Sequence, residues 1–129
     1  MQPKRILVID DEPSITQLLK LNLQKTGRFT VRTENLGANA LQAAREFEPD
    51  LILLDVMLPD IQPHLDGGDV AAQIRSEPAL KDTPIVFLTA VVKKGDVQSH
   101  GGVIGGFPYI AKPLDVKGVI AVIEQNLAK

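Results

Sequence analysis

Asp50-Leu51-Ile52-Leu53-Leu54-Asp55-Val56-Met57-Leu58-Pro59 is the most informative run in the chain. An unbroken apolar run leads into a single carboxylate, and the pattern breaks at a proline. A run this short, without polar alternation, suits a strand buried on both faces, as in a parallel sheet covered by helices. A charge inside such a strand would be costly to desolvate, whereas one at its C-terminal tip can meet solvent or a metal. Asp55 is at that tip, and in open α/β sheets ligands gather at the strand tips.

Upstream, Ile6-Leu7-Val8-Ile9 is a second buried-strand run, and it ends in Asp10, Asp11 and Glu12. Pro13 and Ser14 then open a helix, proline being tolerated in a first turn. Ile15, Leu18, Leu19 and Leu23 recur at helical spacing down to a stop at Gly27. Phe29 to Thr33 reads as a strand with one more exposed face. Ala40, Leu41, Ala44 and Phe47 form the stripe of a second helix, ended by Pro49.

Downstream, a long turn from Pro59 to Gly68 precedes a helix carrying Val70, Ala71 and Ile74. Ile85-Val86-Phe87-Leu88 makes the next strand and ends at Thr89. Gly95, Gly101, Gly102, Gly105 and Gly106 follow. Each interior glycine costs a helix up to ~1 kcal/mol relative to alanine, so any fourth helix there is short or irregular. Phe107 to Ala111 gives a fifth strand, and Val116, Val119, Ile120, Ile123 and Leu127 a C-terminal amphipathic helix. Strand and helix thus alternate five times without an internal repeat. The pattern predicts an α/β, doubly wound five-stranded parallel sheet with helices on both faces and right-handed crossovers.

The 129 residues predict one domain, 1–129, with 44% hydrophobic and 23% charged residues, ordinary values for a globular protein. A net charge of -2 without a basic block gives no reason to expect direct nucleic acid binding. No cysteine is present, which excludes disulfides and thiolate metal sites. Met1-Gln2-Pro3-Lys4-Arg5 leads straight into a strand-like run rather than a signal peptide, and no apolar stretch is long enough for a membrane span. A cytoplasmic protein without membrane association is expected.

If the first and third strands are neighbours, Asp10, Asp11 and Asp55 converge at a topological switch point. Two carboxylates ~4 Å apart repel by about 4 kcal/mol at an effective dielectric of about 20, so such a cluster needs a cation or raised pKa values. Oxygen-only ligation fits Mg²⁺ better than a soft metal. Lys112, after the fifth strand, offers an ammonium to the same pocket and Thr89 a hydroxyl. A carboxylate nucleophile, a hard cation, a hydroxyl and an ammonium together suit phosphoryl transfer.

Five features in order carry a resemblance over essentially the whole length: Asp10-Asp11, Asp55 ahead of Met57-Leu58-Pro59, Thr89-Ala90, Tyr109, and Lys112-Pro113. The chain resembles a response-regulator receiver domain of two-component signalling. The resemblance implies a flavodoxin-like fold of strand order 2-1-3-4-5 and a cis Lys112-Pro113 bond. It implies that Asp55 accepts a phosphoryl group from a sensor histidine kinase or phosphotransfer protein. It also implies that Asp11, Asp55 and the main-chain carbonyl of Met57 ligate Mg²⁺, with Asp10 acting largely through a metal-bound water. Thr89 and Lys112 would contact the aspartyl phosphate, and Tyr109 matches the family's rotameric switch aromatic. Such a domain catalyses only its own phosphorylation and dephosphorylation and signals to a downstream protein.

Simpler roles compete for each residue. Asp10 and Asp11 could merely complement the positive end of the first helix. Thr89 could be an ordinary strand-end hydroxyl and Tyr109 a packing residue. His64 and His100 lack partners at metal-ligand spacing and are expected in solvent, as is the pair Lys93-Lys94. A phosphorylation-independent adaptor of the same fold is the alternative function, although no acidic residue nor the lysine is lost. A phosphohydrolase with an aspartyl nucleophile usually carries a second acid two residues on, where this sequence has Met57. Two departures from the family stand out: six residues separate Pro59 from Asp66-Gly67, and glycines replace a regular fourth helix. The second departure predicts a mobile output face that phosphorylation orders.

Overall fold

The computed structural model describes residues 2–56, 67–89, 103–104 and 107–128. Met57, most of the Pro59–Gly68 turn, His64, Lys93-Lys94, His100 and most of the glycine-rich stretch lie outside them. The apolar runs form strands β1 (Lys4–Ile9), β2 (Phe29–Glu34), β3 (Leu51–Asp55), β4 (Ile85–Thr89), β5 (Val103–Ile104) and β6 (Phe107–Ala111). The periodic segments form helices α1 (Pro13–Lys25), α2 (Ala40–Phe47), α3 (Gly67–Arg75) and α4 (Val116–Leu127), with a 3₁₀ turn at Gly37–Asn39 leading into α2.

The sheet order is β2-β1-β3-β4-β6-β5. Its first five strands are parallel, so the expected order 2-1-3-4-5 holds with β6 as the fifth strand. β5 adds a feature the sequence reading lacks. Val103 pairs antiparallel with Pro108, and Ile104 with Phe107.

Side-chain alternation divides the core in two. Ile6, Val8, Leu51, Leu53, Val86 and Leu88 pack on one face with Leu19 and Leu23 of α1 and Val119 and Ile123 of α4. Leu7, Ile9, Ile52, Leu54, Ile85 and Phe87 pack on the other with Ala43 and Ala44 of α2 and Ala71 and Ile74 of α3. Every residue of β3 is buried, as its lack of alternation requires. Fully burying one Leu or Ile contributes about 1.5–3 kcal/mol, so the central strands anchor the domain.

The helix ends follow local chemistry. Gly27, just past α1, takes φ 77°, which glycine adopts without steric cost. Glu48 closes α2 in the same left-handed region at φ 51°, and Pro49 prevents continuation. At the outer edge of the sheet, the Gln24 side chain of α1 accepts the Val31 N–H at 3.0 Å. That contact covers part of an edge that would otherwise offer itself for pairing. Among the described residues, no helix is long and apolar enough to cross a membrane.

Candidate functional site

Parallel strands all point their C-terminal ends the same way, so β1, β3, β4 and β6 deliver their last residues to one rim. Asp10 follows β1, Asp55 ends β3, Thr89 ends β4, and Lys112 follows β6. The register sets their spacing: Ile9 lies opposite Leu54, Asp55 opposite Leu88, and Thr89 opposite Ala111. The Lys112 N–H donates to the Thr89 carbonyl at 2.8 Å, which extends the β4–β6 pairing by one residue. The Lys112-Pro113 bond is cis, as the family resemblance implied.

Carboxylate oxygens of Asp10, Asp11 and Asp55, one from each, lie within 4.8 Å of one another. Asp10 and Asp55 are buried and Asp11 is half-buried. The Lys112 ammonium stands 2.9 Å from Asp10 Oδ2, 3.5 Å from Asp55 Oδ2 and 3.7 Å from Glu12 Oε1. Burial pushes the Lys112 ammonium down, but its contact with Asp10 and the charges of Asp10, Asp55 and Glu12 outweigh this and hold it above its ordinary value. It therefore stays charged at neutral pH. One ammonium thus contacts three carboxylates, and Asp11 adds a fourth to the cluster.

The donor set fits a hard divalent cation. All three clustered ligands are carboxylate oxygens, the chemistry Mg²⁺ prefers. Asp10 Oδ2 is buried and meets the Lys112 ammonium at 2.9 Å, and a carboxylate oxygen has lone-pair capacity for a second cation beside it. Asp10 Oδ1 is committed differently: it accepts the Glu12 N–H at 2.9 Å and closes the turn between β1 and α1. The capping alternative is thus only partly right. Glu12, not the acid pair, is the N-cap residue of α1, and its side chain makes no capping bond.

Thr89 is buried and follows Leu88, the register partner of Asp55. Tyr109 is half-buried, in register with Phe87, and packs against the core beneath α2 and α3. The Met57 carbonyl expected as a ligand lies outside the described residues. Three residues around the rim had no site role assigned from the sequence: Glu12, Asn35 and Thr16. Glu12 faces Lys112. Asn35, just past β2, donates its amide to the Asp10 carbonyl at 2.8 Å and to Thr16 Oγ1 at 3.1 Å. For Asn35 and Thr16 the one available signal was a polar residue after a strand tip and another in a first helical turn.

A family model described as "Response regulator receiver domain" matches residues 6–124. The alkaline phosphatase synthesis transcriptional regulatory protein PhoP of Bacillus subtilis is 40% identical over 126 residues, which cover 98% of this chain and 49% of that protein. The polar-differentiation response regulator DivK of Brucella anthropi is 33% identical over 127 residues, 97% of each chain. The crystal structure of response regulator protein TrrA of Thermotoga maritima, in complex with Mg²⁺-BeF, superposes with a TM-score of 0.74 at 32% identity, covering 95% of this chain and 98% of that one. The chain spans about half the length of several curated relatives that it matches.

Proposed function

The chain belongs to the response regulator receiver domain family, and from that premise we propose that it is a phosphorylation-activated switch whose acceptor is Asp55. Receiver domains are signalling proteins, not metabolic enzymes, and the chemistry here is a single transfer. An Asp55 carboxylate oxygen attacks the phosphorus of a phosphohistidine on a sensor histidine kinase or phosphotransfer protein. The O–P bond forms as the N–P bond breaks, and the imidazole keeps the electron pair and takes a proton from solvent. Asp11 and Asp55, with Asp10 and the Met57 carbonyl, would hold Mg²⁺. When bound, that ion would neutralise charge on the transferring phosphoryl oxygens.

The remaining roles belong to side chains. Lys112, already 3.5 Å from Asp55, pairs with the phosphoryl group once it is attached. Thr89, at the neighbouring strand tip, hydrogen-bonds it, and Tyr109 moves with Thr89 to alter the surface offered to a downstream protein. The observation that carries this reading is the gathering of Asp10, Asp11 and Asp55 around one point beside Lys112. Incubation with acetyl phosphate and Mg²⁺, followed by intact-mass measurement, tests it. A single phosphoryl adduct lost in Asp55→Asn is expected. No adduct would favour a phosphorylation-independent adaptor, and sustained multi-turnover phosphate release a hydrolase.

A further inference from the structure

We propose that Asn35 is a positioning residue for the acidic pocket, setting cation affinity without touching the cation. The proposal rests on the reading of the pocket as a Mg²⁺ site. Ile9 is the last residue of β1 in the ladder with β2 and β3, so the main chain of Asp10 lies beyond both ladders. There its N–H donates to the Glu34 carbonyl at 3.1 Å, and its carbonyl accepts the Asn35 amide at 2.8 Å. The second amide proton reaches Thr16 Oγ1 at 3.1 Å, and the Thr16 hydroxyl donates to the Pro13 carbonyl at 3.1 Å. One planar amide therefore ties the tip of β1 to the first turn of α1 across the Asp10-Asp11-Glu12 turn.

Glu34 and Asn35 are consecutive, so the end of β2 grips Asp10 from both its N–H and its carbonyl. The Asp10 side chain is buried and the Thr16 side chain nearly so, which gives the grip little competition from water. Asp11 hangs between the two tied points and must meet Asp55 of another strand to complete the cluster. With the amide removed, the turn keeps the Asp10 Oδ1 bond to the Glu12 N–H and the Glu34 bond to the Asp10 N–H, but it loses its tie to α1, so Asp11 is held less firmly in its approach to Asp55. Groups that orient metal ligands typically change affinity 10–100-fold when removed. Asn35 holds the main chain of the ligand turn rather than a ligand atom, which places its effect at the lower end.

Calorimetric titration with Mg²⁺ alone tests the proposal. Asn35→Ala should bind Mg²⁺ about tenfold more weakly than the unaltered chain, while the rate of acetyl phosphate labelling recovers once Mg²⁺ saturates. A residue that merely stabilised the fold would lower the unfolding midpoint and leave the dissociation constant unchanged, and that result overturns the proposal. Should Asn35→Ala not fold, Thr16→Val decides. It keeps the shape of the side chain but removes the second acceptor, so weakened Mg²⁺ binding supports the proposal and unchanged binding overturns it. If the unaltered chain itself binds no Mg²⁺, the reading of the pocket fails first and takes the proposal with it.

Discussion

Lys112 is a resident cation in a hole built for two charges. Its ammonium lies within 4 Å of Asp10, Asp55 and Glu12, so in the metal-free protein it offsets part of their repulsion. A second cation entering the pocket must then meet a positive charge already there. Lys112→Met should therefore bind Mg²⁺ more tightly, by about tenfold or more on Coulomb grounds, yet accumulate less phosphoryl adduct. Tighter binding is read by calorimetry, and an unchanged constant would show that the ammonium swings clear at no cost. The same pairing has a pH signature. The Lys112 pKa is raised in the folded state above its ordinary 10.5, so its contribution is complete below that value and is lost as pH rises through the folded value. The stability difference between the unaltered chain and Lys112→Met, from urea unfolding, should be flat from about pH 7 to 9 and shrink above about pH 10.5.

At the scale of elements, β3 shows why so much was legible. Only a strand covered on both sides tolerates Leu51-Ile52-Leu53-Leu54 without a polar residue, and a charge at its end has one place to go. Ile52 and Leu53 are both fully buried but belong to opposite core clusters. Ile52→Ala and Leu53→Ala should each cost about 2–5 kcal/mol in denaturant unfolding. A small loss at either would mean that one face is open. The same rule located Asp10, Asp55, Thr89 and Lys112, because each is the first polar residue after an apolar run. It could not find β5. Val103-Ile104 is two residues between glycine pairs, too short to carry any period, and its pairing to β6 depends on a register that only folding sets. Asn35 escaped for a related reason. An asparagine after a strand reads as a turn residue, and its partners Asp10 and Thr16 are distant in sequence.

Across the whole molecule, the two apolar clusters hold the strand tips in place and so hold like charges together against their repulsion. That opposition makes the pocket a local liability that a bound cation would relieve. At a Mg²⁺ concentration about 100 times the dissociation constant, linkage adds about 2.7 kcal/mol. For a domain of this size that is a rise in unfolding midpoint of roughly 8–10 °C. Asp11 separates the two effects. It is a member of the acidic cluster, while the Lys112 contacts fall on Asp10, Glu12 and Asp55. Asp11→Asn should therefore raise the midpoint of the metal-free protein by roughly 3–4 °C, for on the order of 1 kcal/mol of relieved repulsion, and abolish the rise on adding Mg²⁺. Differential scanning calorimetry with and without Mg²⁺ reads both at once. A variant less stable than the parent without metal would mean that Asp11 serves the fold, and a retained Mg²⁺ response would place the cation elsewhere. A gain in stability with loss of the metal response is the trade expected where a site is built from charges the rest of the fold must restrain.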